Sequence, residues 1–258
     1  MRSSFRSPFV LTLLLALAFC AAGMAGPAER PGWKLTFDDE FDGKKLDLKK
    51  WNPNDPSGWE RNSELQAYVT DAFEVNGGVL RIKAEKRDAF YSGKQRSITS
   101  GMMTTLGKFS QEYGRFEIRC RIPKGKGMWP AFWLLPVSRS WPPEIDVLEI
   151  LGHEPNIVHM TQHYRDATAK HQSHGGWWSG PDFSADFHEF AVEWSPQRIV
   201  WFVDGVERFR SEADVPKERM YMLVNLAVGG SWPGAPDAQT KFPAAMEVDY
   251  VRVYQKTP

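Results

Sequence analysis

Three carboxylates fall within six residues, Glu144, Asp146 and Glu149, with Ile145, Val147 and Leu148 set between them. Carboxylates interleaved with apolar side chains are expensive to fold unless they are used. A pair of them can divide the labour of glycosidic bond cleavage, one donating a proton to the leaving oxygen while the other attacks carbon or activates water.

Strand geometry sets what these residues can do together. Alternation puts Glu144 and Asp146 on one face with Ile145 and Val147 on the other, which leaves Glu149 with the wrong parity. A β-bulge near Val147 and Leu148 inserts one unpaired residue and turns Glu149 onto the face of the other two. The two glutamates then stand about 13 Å apart at Cα, for a rise of about 3.3 Å per residue. Side chains of about 4 Å reach leaning inward bring the carboxyl groups to about 5 Å, the separation of a retaining rather than an inverting glycosidase.

An acidic strand edge held in water is the plain alternative, and it leaves the surrounding aromatics unexplained. Trp129, Trp133, Trp141, Trp177 and Trp178 flank the motif, and flat aromatic faces suit the apolar faces of sugar rings.

The elements that must position these groups read as strands. Leu80 to Glu85 and Phe116 to Ile122 alternate apolar and polar residues. Phe190 to Trp194, Ile199 to Val203 and Val248 to Tyr254 are rich in β-branched and aromatic types. Turns are marked at Asn76-Gly77-Gly78, Lys124 to Gly127 and Asp204-Gly205. Helical periodicity is nearly absent, so the spacing predicts an all-β domain of two packed sheets, a sandwich or jelly roll.

At 258 residues with 42% hydrophobic content, the chain can build one large core. Arg2 and Arg6 precede an apolar run from Pro8 to Ala22, and small residues end at Ala25. That pattern predicts a secretory signal peptide over residues 1–25, a short tether over 26–32 and one catalytic domain over 33–258, with a secreted or periplasmic location. Lipidation at Cys20 is disfavoured by Phe19, where a small residue is usual. Without residues 1–25 the net charge falls from 0 to −2, which favours neither nucleic acid nor an anionic membrane as partner. Cys120 then stands alone, with no internal disulfide, and its alternation with charged residues predicts a buried, inert thiol.

Other segments complete a pattern that resembles glycoside hydrolase family 16, most closely its laminarinase-like endo-β-1,3-glucanases. They include Asn62 to Tyr68, Tyr113 to Glu117, Gly127 to Pro136, Phe187 to Trp194, Asn225 to Gly234 and Val248 to Tyr254. The resemblance implies a curved jelly-roll sandwich, concanavalin A-like, with an open concave cleft. It implies Glu144 as nucleophile, Glu149 as general acid and base, and Asp146 as the residue that hydrogen-bonds the nucleophile. Asn62, Glu64, Trp129, Trp133, His163 and Trp232 follow as sugar-binding residues, with His163 near the acid and base and Trp232 on a loop. The substrate implied is a β-1,3 glucan, mixed β-1,3-1,4 glucan included, and the working form a monomer.

No cofactor is required for that chemistry. The resemblance does imply a structural calcium ion on the convex face, held by Glu40, Gly78 and Asp249. A zinc site through His159 and His163, or His171 and His174, lacks the residues to complete four ligands. The Gly175-Gly176-Trp177-Trp178 stretch departs from the laminarinase pattern; as a loop, it would either narrow the cleft or extend it. Agarose, carrageenan or a bacterial exopolysaccharide as substrate, or glucan binding without turnover, are the competing readings.

Overall fold

A computed structural model describes residues 29–258; the expected leader and Cys20 lie outside the described residues. In chain order the strands are β1 (Trp33–Asp39), β2 (Ala67–Tyr68), β3 (Phe73–Asn76), β4 (Val79–Ala84), β5 (Ala89–Tyr91), β6 (Lys94–Arg96), β7 (Thr99–Ser100), β8 (Met102–Thr104) and β9 (Gly114–Arg121). They continue as β10 (Met128–Pro136), β11 (Glu144–Ile150), β12 (Ile157–Arg165), β13 (His171–Ser179), β14 (His188–Trp194), β15 (Ile199–Val203), β16 (Val206–Ser211), β17 (Met220–Val228) and β18 (Ala244–Lys256). No helix occurs among the described residues.

Two antiparallel sheets form the jelly roll. One runs β16-β15-β14-β9-β18-β4-β3, with β1 also paired to β18; the other runs β13-β12-β11-β10-β17-β8. Alternation explains the packing between them. Phe116, Ile118 and Cys120 of β9 point inward to meet Phe132, Leu134, Ile145, Met160 and Val224 from the second sheet in one buried cluster. Cys120 is a free, buried thiol whose ionisation burial opposes. The predicted turns fall between strands; Asp204 and Gly205, with φ of 50° and 74°, close the β15–β16 hairpin.

The outward face of the first sheet is laced with ion pairs. Arg115 is buried and reaches Glu117, Glu189 and Glu193 at 2.7, 2.7 and 3.2 Å. Both oxygens of Glu40 accept hydrogen bonds from Arg252 at 2.7 Å, and Asp249 accepts one from Arg119 at 2.6 Å. Gly78 sits with Gly77 in the β3–β4 turn. The side chains of Glu40 and Asp249, two of the three residues expected to offer oxygens to calcium, thus each face a guanidinium.

Candidate active site

The hexad occupies β11, the third strand of the second sheet counted from the β13 edge. Against β10, Leu148 lies opposite Phe132 and Asp146 opposite Trp133, so Val147 is the extra residue. The pairing with β12 slips over the same interval, from Asp146 opposite Thr161 to Glu149 opposite His159. This is the bulge the parity of the three carboxylates requires, and all three line one open cleft of about 800 Å³. At the interruption, Trp201 of the opposing sheet donates its indole N–H to the Asp146 carbonyl at 2.8 Å.

Each carboxylate has its own surroundings. Trp141, in the turn before β11, donates to Glu144 Oε2 at 2.9 Å, and Trp129 donates to Glu149 Oε1 at 3.1 Å. Asp146 Oδ2 is buried with no hydrogen-bond partner among the described residues. His163 Nε2 stands 3.3 Å from Asp146 Oδ2 and 3.7 Å from Glu144 Oε1. The antiparallel register, Glu144 opposite His163, places that histidine at the Glu144 end of the site. Its expected place beside Glu149 is taken by His159.

Burial raises all three carboxyls above the ordinary range. Glu144 is pushed up to about 8, by burial first and then by Asp146, while His163 and Trp141 pull the other way. Asp146 is raised to about 7 by burial. Glu149 is driven well above its usual value by burial, then by the charges of Asp146 and Glu144. Like charges this close cannot all ionise at once. The group therefore loses its protons stepwise, and Glu149 is the carboxyl placed to keep one.

All six sugar-binding residues expected from the sequence line the same cleft: Asn62, Glu64, Trp129, Trp133, His163 and Trp232. Trp129 and Trp133 share a face of β10, as their four-residue spacing requires. Glu64 is buried and accepts from Gln66 at 2.7 Å. The 62–66 segment is tied to the end of β17, because Leu65 N–H donates to the Val228 carbonyl and Ser231 N–H to that of Asn62. Gly229 makes that approach possible, since a Cβ there would sit 2.5 Å from Leu65 Cγ and its φ is 76°. Trp232 follows on a loop, edge-on to Trp129 at 5.4 Å and to His159 at 4.8 Å.

Several lining residues act through contacts that the sequence does not show. Arg61 lies over the Trp133 ring at 5.8 Å while donating to Asp55 at 2.6 Å. Asn225 accepts from Trp133 at 2.7 Å and is itself joined to Tyr68. His171 of β13 sits 3.0 Å from His163, so the histidines pair differently from either zinc grouping. Trp141, one of the flanking aromatics and three residues before Glu144, lines the cleft as well. The Gly175-to-Trp178 stretch is no loop; it forms part of edge strand β13.

Comparison with known proteins agrees with this geometry. The profile described as Glycosyl hydrolases family 16 matches residues 62–252. A beta-glucanase of Rhodothermus marinus is 38% identical over 97% of this chain and 94% of its own length. Glucan endo-1,3-beta-glucosidase A1 of Niallia circulans is 36% identical over 87% of this chain, a match that spans only 38% of that longer protein. Among solved structures, the laminarinase catalytic domain of Thermotoga maritima MSB8 superimposes with a TM-score of 0.79 at 36% identity, covering 88% of this chain and 99% of that one.

Proposed function

This chain belongs to glycosyl hydrolases family 16, and from that premise we propose that it is a secreted, endo-acting hydrolase of β-1,3 glucans, mixed β-1,3-1,4 glucans included, working with retention of configuration. The observation that carries the reading is the bulge that gathers Glu144, Asp146 and Glu149 on the floor of one aromatic-walled cleft. The names of the β-glucanase and laminarinase relatives support the choice of polymer.

Glu149, protonated, gives its proton to the glycosidic oxygen as that bond breaks. The Glu144 carboxylate attacks the anomeric carbon and forms a glycosyl ester. Asp146 takes up the hydrogen bond to Glu144 and steadies it through the cycle. Glu149, now ionised, removes a proton from an incoming water, whose oxygen bonds to the anomeric carbon and releases Glu144 with inverted geometry a second time. Trp133 and Trp232 offer flat faces to the sugar rings, and Asn62 and Glu64 offer polar atoms to their hydroxyls.

These steps use no cofactor. The apolar, arginine-led segment over residues 1–25 supports export to the periplasm or beyond, and an open-cleft hydrolase of this kind acts as a monomer. The test is release of oligosaccharides from laminarin, barley mixed-linkage glucan, lichenan, agarose and carrageenan, with Glu144→Gln as the blank. Products from laminarin that vanish in the variant are expected. Cleavage confined to agarose or carrageenan would overturn the substrate, and saturable glucan binding without any turnover would overturn the enzyme.

A further inference from the structure

The cleft does not end where its lining ends. Partners across neighbouring strands project to the same face. One row on the catalytic face therefore runs Asn225, Ala131, Glu149, His159, Trp177, from β17 across to edge strand β13. Trp177 is the last member of that row and lies beyond the residues that line the cleft. Its indole is 67% exposed. The adjacent Trp178 faces the other way, packed on Phe183 and beneath Arg208 at 3.7 Å, as strand alternation demands. The exposure of Trp177 is thus a property of the catalytic face and not a failure of packing.

The next row of the same face runs Trp133, Asp146, Thr161, Gly175. Gly175 has no side chain to raise a wall there, and Ser173 follows on its far side. Between Trp177 and Ser173, about 13 Å apart at Cα for four strand positions, the only intervening residue of β13 on that face is Gly175, which presents no side chain at the sheet edge. The aromatic line Trp129, Trp232, His159 leads toward it, with neighbouring rings 5.4 and 4.8 Å apart.

We propose that Trp177 is a sugar-binding platform outside the catalytic cleft, on which a distal pyranose of the same polysaccharide chain stacks as it leaves over Gly175. The inference rests on the glycoside hydrolase reading of the cleft. An exposed tryptophan offers a pyranose C–H face a broad contact with two rotatable side-chain bonds to order. It offers little to a substrate too short to reach it. Trp177 therefore makes the enzyme prefer long chains, through KM more than kcat.

The experiment compares wild type, Trp177→Ala and Trp177→Phe on the polymer that the wild type cleaves and on its trisaccharide. Retention of each protein's Glu144→Gln form in gels containing the polymer is measured alongside. Trp177→Ala is expected to lose about five- to tenfold in kcat/KM on polymer relative to trisaccharide, chiefly by a higher KM, with weaker gel retention. Trp177→Phe should restore most of the loss. An equal loss on both substrates, or none on either, would overturn the platform. So would a concentration-dependent dimer that Trp177→Ala abolishes while the polymer KM stays unchanged, since the face would then be covered by a second copy. If the wild type cleaves agarose or carrageenan instead of a glucan, the substrate assignment fails while the same comparison still decides the platform. If no polymer is cleaved or retained, both fall.

Discussion

Glu144 is held where its charge is costly, between the burial of the cleft floor and the neighbouring Asp146. An unfolded glutamate ionises near pH 4.3, whereas burial and the neighbouring Asp146 push Glu144 up to about 8. A carboxyl raised in this way contributes stability that is fully present below the unfolded value and is lost as pH climbs toward the folded one. Glu144→Gln mimics the protonated side chain at every pH. The variant should therefore match wild type in thermal stability near pH 4 and exceed it at pH 8 by up to about 5 kcal/mol. Melting curves at the two pH values check this; a gap that is constant or reversed would mean that the carboxylate is not strained. The types and spacing of these three carboxylates were legible in the sequence because chemistry needs them close in the chain. His171 was not, since its contact with His163 depends on how β13 registers with β12.

The bulge in β11 is where element and chemistry meet. It could be read from parity alone, because an apolar pair between Asp146 and Glu149 leaves no regular strand with all three acids on one face. What parity could not supply is the support beneath it. Trp201 comes from β15 of the opposite sheet to satisfy the Asp146 carbonyl, a contact 55 residues away in sequence and set by sheet packing. Trp201→Phe keeps most of the buried ring and removes a donor from a buried carbonyl. The expected cost is about 1–3 kcal/mol, read from urea denaturation with an unchanged m-value. A variant as stable as wild type would show that the bulge holds itself. The ion pairs at Glu40 and Asp249 teach the converse lesson. The resemblance implied those residues, with Gly78, as oxygen donors to calcium, and it gave no sign of the cross-strand arginines that their carboxylates engage.

At the scale of the molecule, the sheet carrying the carboxylates uses its other face to build the core, and the loops beside it wall the cleft. Alternating strands made the all-β architecture readable, and separate sequence blocks made the cleft residues readable as a set. Arg61, Tyr68 and Asn225 were hidden because their meaning depends on Trp133 arriving from another strand. In the proposed mechanism Glu144 and Glu149 act on opposite sides of one anomeric carbon in two displacements, each inverting it. The decisive test is proton NMR of the wild type digesting laminarin, recorded in the first minutes before mutarotation. Two displacements release the new reducing ends as the β anomer, which only later equilibrates with α; first appearance of the α anomer would mean a single displacement by water and would overturn the mechanism.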